Sequence, residues 1–183
     1  MRTLSYILLT AALVTALAIG SIAQANRNGL YKTGADFAEN RLTDPEATND
    51  QNRIEAYRSV LKVYRQGKPT TYKSGSVYGY HQNGITYRAM TGRTWFAENG
   101  YCQVVREGAL VIYAKQSTHH RSNGRVWYYY SIGIDGKIKR LTKQSLTKDF
   151  TQKPEFLSAA QAKLDKHDLK EALAISELYA KFN

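Results

Sequence analysis

Cysteine is almost absent: Cys102 is the only one in 183 residues. A chain with one thiol has no internal disulfide to lean on, so its stability must come from a packed core. The short patterns that announce common chemistry are missing too. No Gly-x-Ser-x-Gly elbow, phosphate-cradling glycine loop or His-Glu-x-x-His pair occurs, and Gly75-Ser76-Val77-Tyr78-Gly79 spaces its glycines too unevenly to substitute for the first. These absences argue against the common hydrolase classes. No repeat long enough for a solenoid or propeller is present. No segment after residue 25 reaches the roughly 20 strongly apolar residues that cross a bilayer.

What is present begins with an address. Arg2 precedes an apolar run from Leu4 to Ile19, broken by Thr10 and Thr15, and then Ala23-Gln24-Ala25. A basic end, a short apolar stretch and a small-x-small exit predict a cleavable secretory signal over residues 1–25, with Ala23 and Ala25 at the cleavage site. No cysteine follows the run, so lipid attachment there is not expected. The expected product is an exported protein, periplasmic or extracellular, with one domain over residues 26–183. Those 158 residues suffice for a substantial core. They carry 25 Lys and Arg against 15 Asp and Glu, a net charge of +10. That excess attracts anionic partners over long range, with strength falling as salt rises.

Along the chain, Asn28-Gly29 reads as a turn, Leu30-Tyr31 as a short extended piece, and Thr33 with Asp36 as a capping pair for a brief helix. Residues 43–53 hold no large apolar side chain and read as a mobile loop. Residues 54–141 read as a β-meander. Asn83-Gly84 suits a tight hairpin that would set Tyr80 against Tyr87. Asn99-Gly100, Glu107-Gly108, Asn123-Gly124 and Asp135-Gly136 repeat the device, and Thr94–Glu98 is one of the strands expected between them. From residue 142 to 183 the period becomes helical: Thr142 caps a first helix, Pro154 opens a second, and Asp168 starts a third with Glu171 at capping-box spacing. The expected fold is α+β, a curved antiparallel sheet of six to eight strands capped by two or three C-terminal helices.

Candidate chemistry is sparse. His119-His120 sits in a polar loop without a nearby Cys or carboxylate, so no metal site is expected. Cys102 could pair with His81, His119 or His120 as a thiol–imidazole couple, but strand alternation puts it beside Val104, where a buried inert thiol is the plainer expectation. The best binding surface is basic and aromatic: Arg121, Arg125, Tyr128, Tyr130, Lys137, Lys139 and Arg140, with Trp127-Tyr128-Tyr129-Tyr130 offering rings for sugars or bases. The alternative is a solvated outer face over aromatics that fill the core. No cofactor and no catalytic residue is expected. The expected partner is an anionic polysaccharide or envelope component, with nucleic acid not favoured. The expected function is a non-enzymatic envelope or surface-associated binding module; the alternative is a secreted or periplasmic hydrolase.

Gly29-Leu30-Tyr31-Lys32-Thr33-Gly34-Ala35-Asp36-Phe37 resembles the opening of small exported proteins of unknown function from Bacteroidetes-type bacteria. The stretches Val77-Tyr78-Gly79-Tyr80 with Gly84-Ile85-Thr86-Tyr87-Arg88, and Ile138-Lys139-Arg140-Leu141-Thr142 running into Pro154-Glu155-Phe156-Leu157, are similar to the same group. The resemblance implies an exported α+β domain and brings no activity or catalytic residues.

Overall fold

The computed structural model describes residues 27–47, 49–57, 60–73, 75–90, 100–116, 125–166 and 168–183. The expected signal with Ala23 and Ala25, the strand Thr94–Glu98, Asn99, Asn123-Gly124, Arg121 and the His119-His120 pair lie outside them. The fold is α+β. Strands β1 (Arg27–Tyr31), β2 (Thr43–Ala47), β6 (Gly79–Gln82), β7 (Ile85–Met90), β8 (Gly100–Arg106), β9 (Leu110–Gln116), β10 (Val126–Ile132) and β11 (Lys139–Arg140) form one sheet. Its order is β11-β10-β9-β8-β7-β6-β1-β2, and every pair is antiparallel. Strands β6 to β11 are neighbours in sequence order, which is the expected meander.

The β6–β7 hairpin turns at Asn83 (φ 54°) and Gly84 (φ 75°), both in the left-handed region that a two-residue primed turn requires. Tyr80 then stands opposite Tyr87, with ring centroids 4.5 Å apart and planes 13° from parallel. Gly79 must be glycine for another reason: a Cβ there would sit 2.3 Å from the Tyr87 carbonyl oxygen.

Three expectations are corrected. Asn28-Gly29 is not a turn but the middle of β1, which pairs on both sides. A Cβ on Gly29 would lie 2.9 Å from that of Leu42, and buried Asn28 donates through Nδ2 to the Asn52 carbonyl at 2.5 Å. The expected loop at 43–53 contains β2, because the open side of β1 supplies hydrogen-bond partners that ask nothing of side-chain hydrophobicity. Residues 54–73 do not join the main sheet. Strands β3 (Ile54–Ala56), β4 (Val60–Arg65) and β5 (Lys68–Lys73) form a separate three-stranded sheet, with Gln66 (φ 49°) and Gly67 (φ 76°) turning its hairpin.

Register places both covering layers on one face of the large sheet. Leu30 lies opposite Tyr80, Tyr80 opposite Tyr87, Tyr87 opposite Gln103, Gln103 opposite Ala114, and Ala114 opposite Tyr128. Residues two apart share that face. At one end Leu30, Tyr80, Ala89 and Tyr101 pack with Ile54, Leu61 and Val63 of the small sheet. At the other, Leu110, Ile112 and Tyr130 pack under helices α2 (Lys143–Asp149), α3 (Pro154–Lys163) and α4 (Leu169–Phe182).

The helices start where sequence chemistry predicts. The short helix α1 (Gly34–Ala38) and α2 each begin with a capping box, Thr33 with Asp36 and Thr142 with Ser145. Pro154 opens α3, and Asp168 accepts from the Glu171 amide at 2.9 Å to cap α4. Glu171 itself departs from the reciprocal box. Its carboxylate accepts from the amides of Asp165 and Lys166 and so ties down the α3–α4 connection. Phe150, Phe156 and Tyr179 make edge-on and tilted ring contacts at 4.8–5.4 Å beneath these helices.

The opposite face holds an unusual buried cation. Arg88 is 6% exposed, and no carboxylate lies within ion-pair distance among the described residues. Its Nη1 donates to the Tyr113 hydroxyl at 2.5 Å and Ser131 Oγ at 3.2 Å, and its Nη2 donates to the Gly136 carbonyl at 2.8 Å. The guanidinium also lies 4.9 Å from the centre of the Tyr78 ring, whose hydroxyl donates to the Ile134 carbonyl. Arg88 and Tyr78 together hold residues 133–138 against the sheet. Gly136 permits the fold-back, since a Cβ there would meet the Ile132 carbonyl oxygen at 2.2 Å.

Candidate functional site

Strand β11 pairs with only two residues of β10, Tyr129 and Tyr130, and no other described strand pairs with the outer edge of β10. Alternation along β10 and its lead-in puts Arg125, Trp127 and Tyr129 on one face. Arg140, opposite Tyr129, shares that face and reaches Trp127 diagonally. The Arg140 guanidinium carbon lies 3.7 Å from the Trp127 ring centre and that of Arg125 lies 4.2 Å away. Both are within cation–π range. Neither arginine forms an ion pair among the described residues.

From the other side of the strand Tyr128 turns towards the helices. The rim is completed by Leu141 and Thr142 at the start of α2, Leu164 at the end of α3, and the α4 cap Asp168. Together these residues line a cleft of about 210 Å³. Burial pushes the Tyr128 phenol above its ordinary pKa, with the nearby Asp168 charge adding to the effect. Tyr128 is therefore a neutral hydroxyl across the physiological range. The arrangement offers two cationic forks that can grip an anion, one neutral hydroxyl and one carboxylate acceptor.

The structure brings together three of the expected binding residues, Arg125, Tyr128 and Arg140. Lys137 is exposed and is not part of the cleft lining. Tyr130 and Lys139 are corrected. They stand opposite each other on the helix-covered side, so their polar ends converge on Asp149. The Tyr130 hydroxyl donates to Asp149 Oδ2 at 2.8 Å, and Lys139 Nζ pairs with Asp149 Oδ1. Tyr130 is 0% exposed and cannot serve as a stacking surface. Burial raises its pKa first, and the Asp149 hydrogen bond adds to that. Trp127, expected only as one ring in an aromatic run, is the hub on which both arginines rest. Asp168, Thr142 and Leu164 gave no binding signal in the sequence, because their helix-capping and core roles account for them fully.

Of the remaining described candidates, Cys102 and His81 make contacts within the sheet. Cys102 is 1% exposed, shares a cluster with Val111 and Tyr113, and points its Sγ at the Arg88 carbonyl at 3.5 Å. Burial pushes its thiol up to about 12, despite the opposing charges of Lys115 and Arg88. His81 Nδ1 lies 3.0 Å from Thr86 Oγ1 across the hairpin. Among the described residues no three His, Cys, Asp or Glu side chains gather as a metal site. No described helix is long and apolar enough to cross a membrane.

Comparisons with protein-family models, with curated proteins and with solved structures each give no match.

Proposed function

We propose that this chain is an exported, non-enzymatic binding module of the cell envelope or surface, and that the Arg125–Trp127–Arg140 cleft engages an anionic polysaccharide or envelope glycan. One observation carries the reading: two guanidinium groups rest on a single indole at the edge of the sheet, and among the described residues no carboxylate pairs with either. An indole holds each guanidinium plane in place without consuming its N–H donors, so the forks stay available for an external carboxylate or phosphate. The export half of the reading is supported by the character of residues 1–25. The net charge of +10 over residues 26–183 adds long-range attraction to anionic surfaces.

A hydrolase reading through Cys102 finds no support, since a buried thiol that keeps its proton at neutral pH is neither nucleophilic nor accessible. The test is retention on acidic polysaccharide and lipopolysaccharide against neutral dextran at low ionic strength. Acidic matrices should retain the protein and release it as salt rises. Arg125→Ala and Arg140→Ala should each weaken binding roughly 5–30-fold, the equivalent of about 1–2 kcal/mol. Equal retention on neutral and acidic matrices, or none on either, defeats the proposal.

A further inference from the structure

The cleft is asymmetric, and the asymmetry specifies its occupant. This inference rests on the reading of the cleft as an anion site and narrows the ligand class. The first constraint is size. At about 210 Å³ the cleft lies below the roughly 300 Å³ at which drug-sized pockets begin, so it accepts one ring, not a run of them.

The second constraint is charge. The cations belong to the Trp127 face of β10, while Asp168 enters the lining from the helix side with Tyr128. A bare phosphate or acetate is attracted by the arginines and repelled by Asp168, whose carboxylate only accepts hydrogen bonds. A ligand that presents hydroxyl groups to Asp168 converts that repulsion into a charge-assisted hydrogen bond. The Tyr128 hydroxyl, held neutral, can donate to the same ligand's ring or hydroxyl oxygens. Leu141 and Leu164 provide apolar wall for ring C–H groups.

The third constraint concerns Trp127. Both guanidinium groups lie within 4.2 Å of its ring centre, so the indole is a mount for charge instead of an open platform for a sugar face.

We infer that the cleft binds a single acidic pyranose residue, with its anionic group on Arg125 and Arg140 and its hydroxyl groups on Asp168 and Tyr128. A uronic acid and a phosphorylated hexose share this chemistry.

The experiment is an NMR titration of the whole protein, following the Trp127 indole N–H. Glucuronate, galacturonate and glucose 6-phosphate are the test ligands, with glucose, acetate and inorganic phosphate as controls. Either uronates or the sugar phosphate should bind at least about tenfold tighter than all three controls, and the stronger of the two identifies the source. Asp168→Asn keeps a side chain that caps helices equally well, so α4 is retained, which circular dichroism checks. That variant should lose the preference for acidic sugar over inorganic phosphate by about tenfold. Bare anions binding as tightly as acidic sugars would overturn this inference while leaving an anion site in place. A preference unchanged in Asp168→Asn would overturn it as well. If no anion moves the Trp127 signal, or glucose binds as well as the acids, both this inference and the anion-site reading fall.

Discussion

Removing the Arg88 side chain tests whether a buried cation with no carboxylate partner among the described residues organises one face of the sheet. Arg88→Ala deletes two hydrogen bonds to side-chain hydroxyls and one to the Gly136 carbonyl. Hydrogen bonds from charged donors contribute about 1.5–3 kcal/mol each. Against that gross gain stands the cost of desolvating the guanidinium, several kcal/mol for a buried ion. The net loss is therefore far below the sum of the three bonds. Tyr113 and Ser131 keep each other, since their hydroxyl oxygens are 2.8 Å apart, and Ser131 still donates to Gly133. The Gly136 carbonyl loses this donor, and the arginine stem leaves a void. A net cost of about 3 kcal/mol follows, which for a chain of this size lowers Tm by roughly 6–12 °C. Arg88→Met fills the stem space and removes the charge that had to be desolvated, so its cost should be about half as large. Urea denaturation gives the stability, and hydrogen exchange over residues 133–138 gives the local effect; exchange there should quicken in both variants. If both variants stay within about 0.5 kcal/mol of the parent and exchange at 133–138 is unchanged, the clamp account is wrong.

Two further predictions follow from burial. Phe156→Ala empties the centre of the ring cluster between α3, α4 and Phe150, and should cost about 3–5 kcal/mol by denaturant titration. Alkaline titration should destabilise the fold from about pH 10 upward. Burial holds the Tyr31 and Tyr101 phenols up to about 12, and those of Tyr78, Tyr80 and Tyr130 higher still. With folded pKa values above unfolded ones, the native state binds more protons between the two. Stability is then fully present below the unfolded value and falls as pH rises towards 12. Tyrosinate absorbance and circular dichroism followed together check this; tyrosines that titrate near their ordinary value without loss of structure would refute it.

Local elements were readable wherever a few adjacent residues decide the outcome. Asn83-Gly84 needs only its own two backbone conformations, and Thr33, Thr142 and Asp168 need only an amide three residues on. The errors lie where distant partners decide. Asn28-Gly29 has turn chemistry, yet β6 and β2 flank it and recruit it as a strand. Residues 43–47 have little apolar character, and only the unpaired edge of β1 makes them extended. Residues 54–73 obey strand chemistry but pair among themselves, which no local pattern reveals.

The same division runs through the site. Arg125, Tyr128 and Arg140 were readable as a basic, aromatic surface. Lys139 and Tyr130 looked equivalent to them until register placed both on the helix side, where Asp149 takes their polar ends. Trp127 and Asp168 join the cleft through tertiary packing, which sequence spacing does not encode.

The two lids over one side of the large sheet differ in when the chain can supply them. The small sheet follows β1 and lies upstream of β6 to β8, the other strands it shelters, so its greasy residues are at hand when those strands emerge. The helical lid lies downstream of the strands it covers, with Leu110, Ile112 and Tyr130 all preceding Lys143. During synthesis those three side chains lack this cover until the helices over residues 143–182 emerge. Such an interval is when a nascent chain is most exposed to unwanted association. The arrangement thus makes docking of the helices follow formation of the strands they cover, and leaves a chain cut before residue 143 sticky at that end of the sheet.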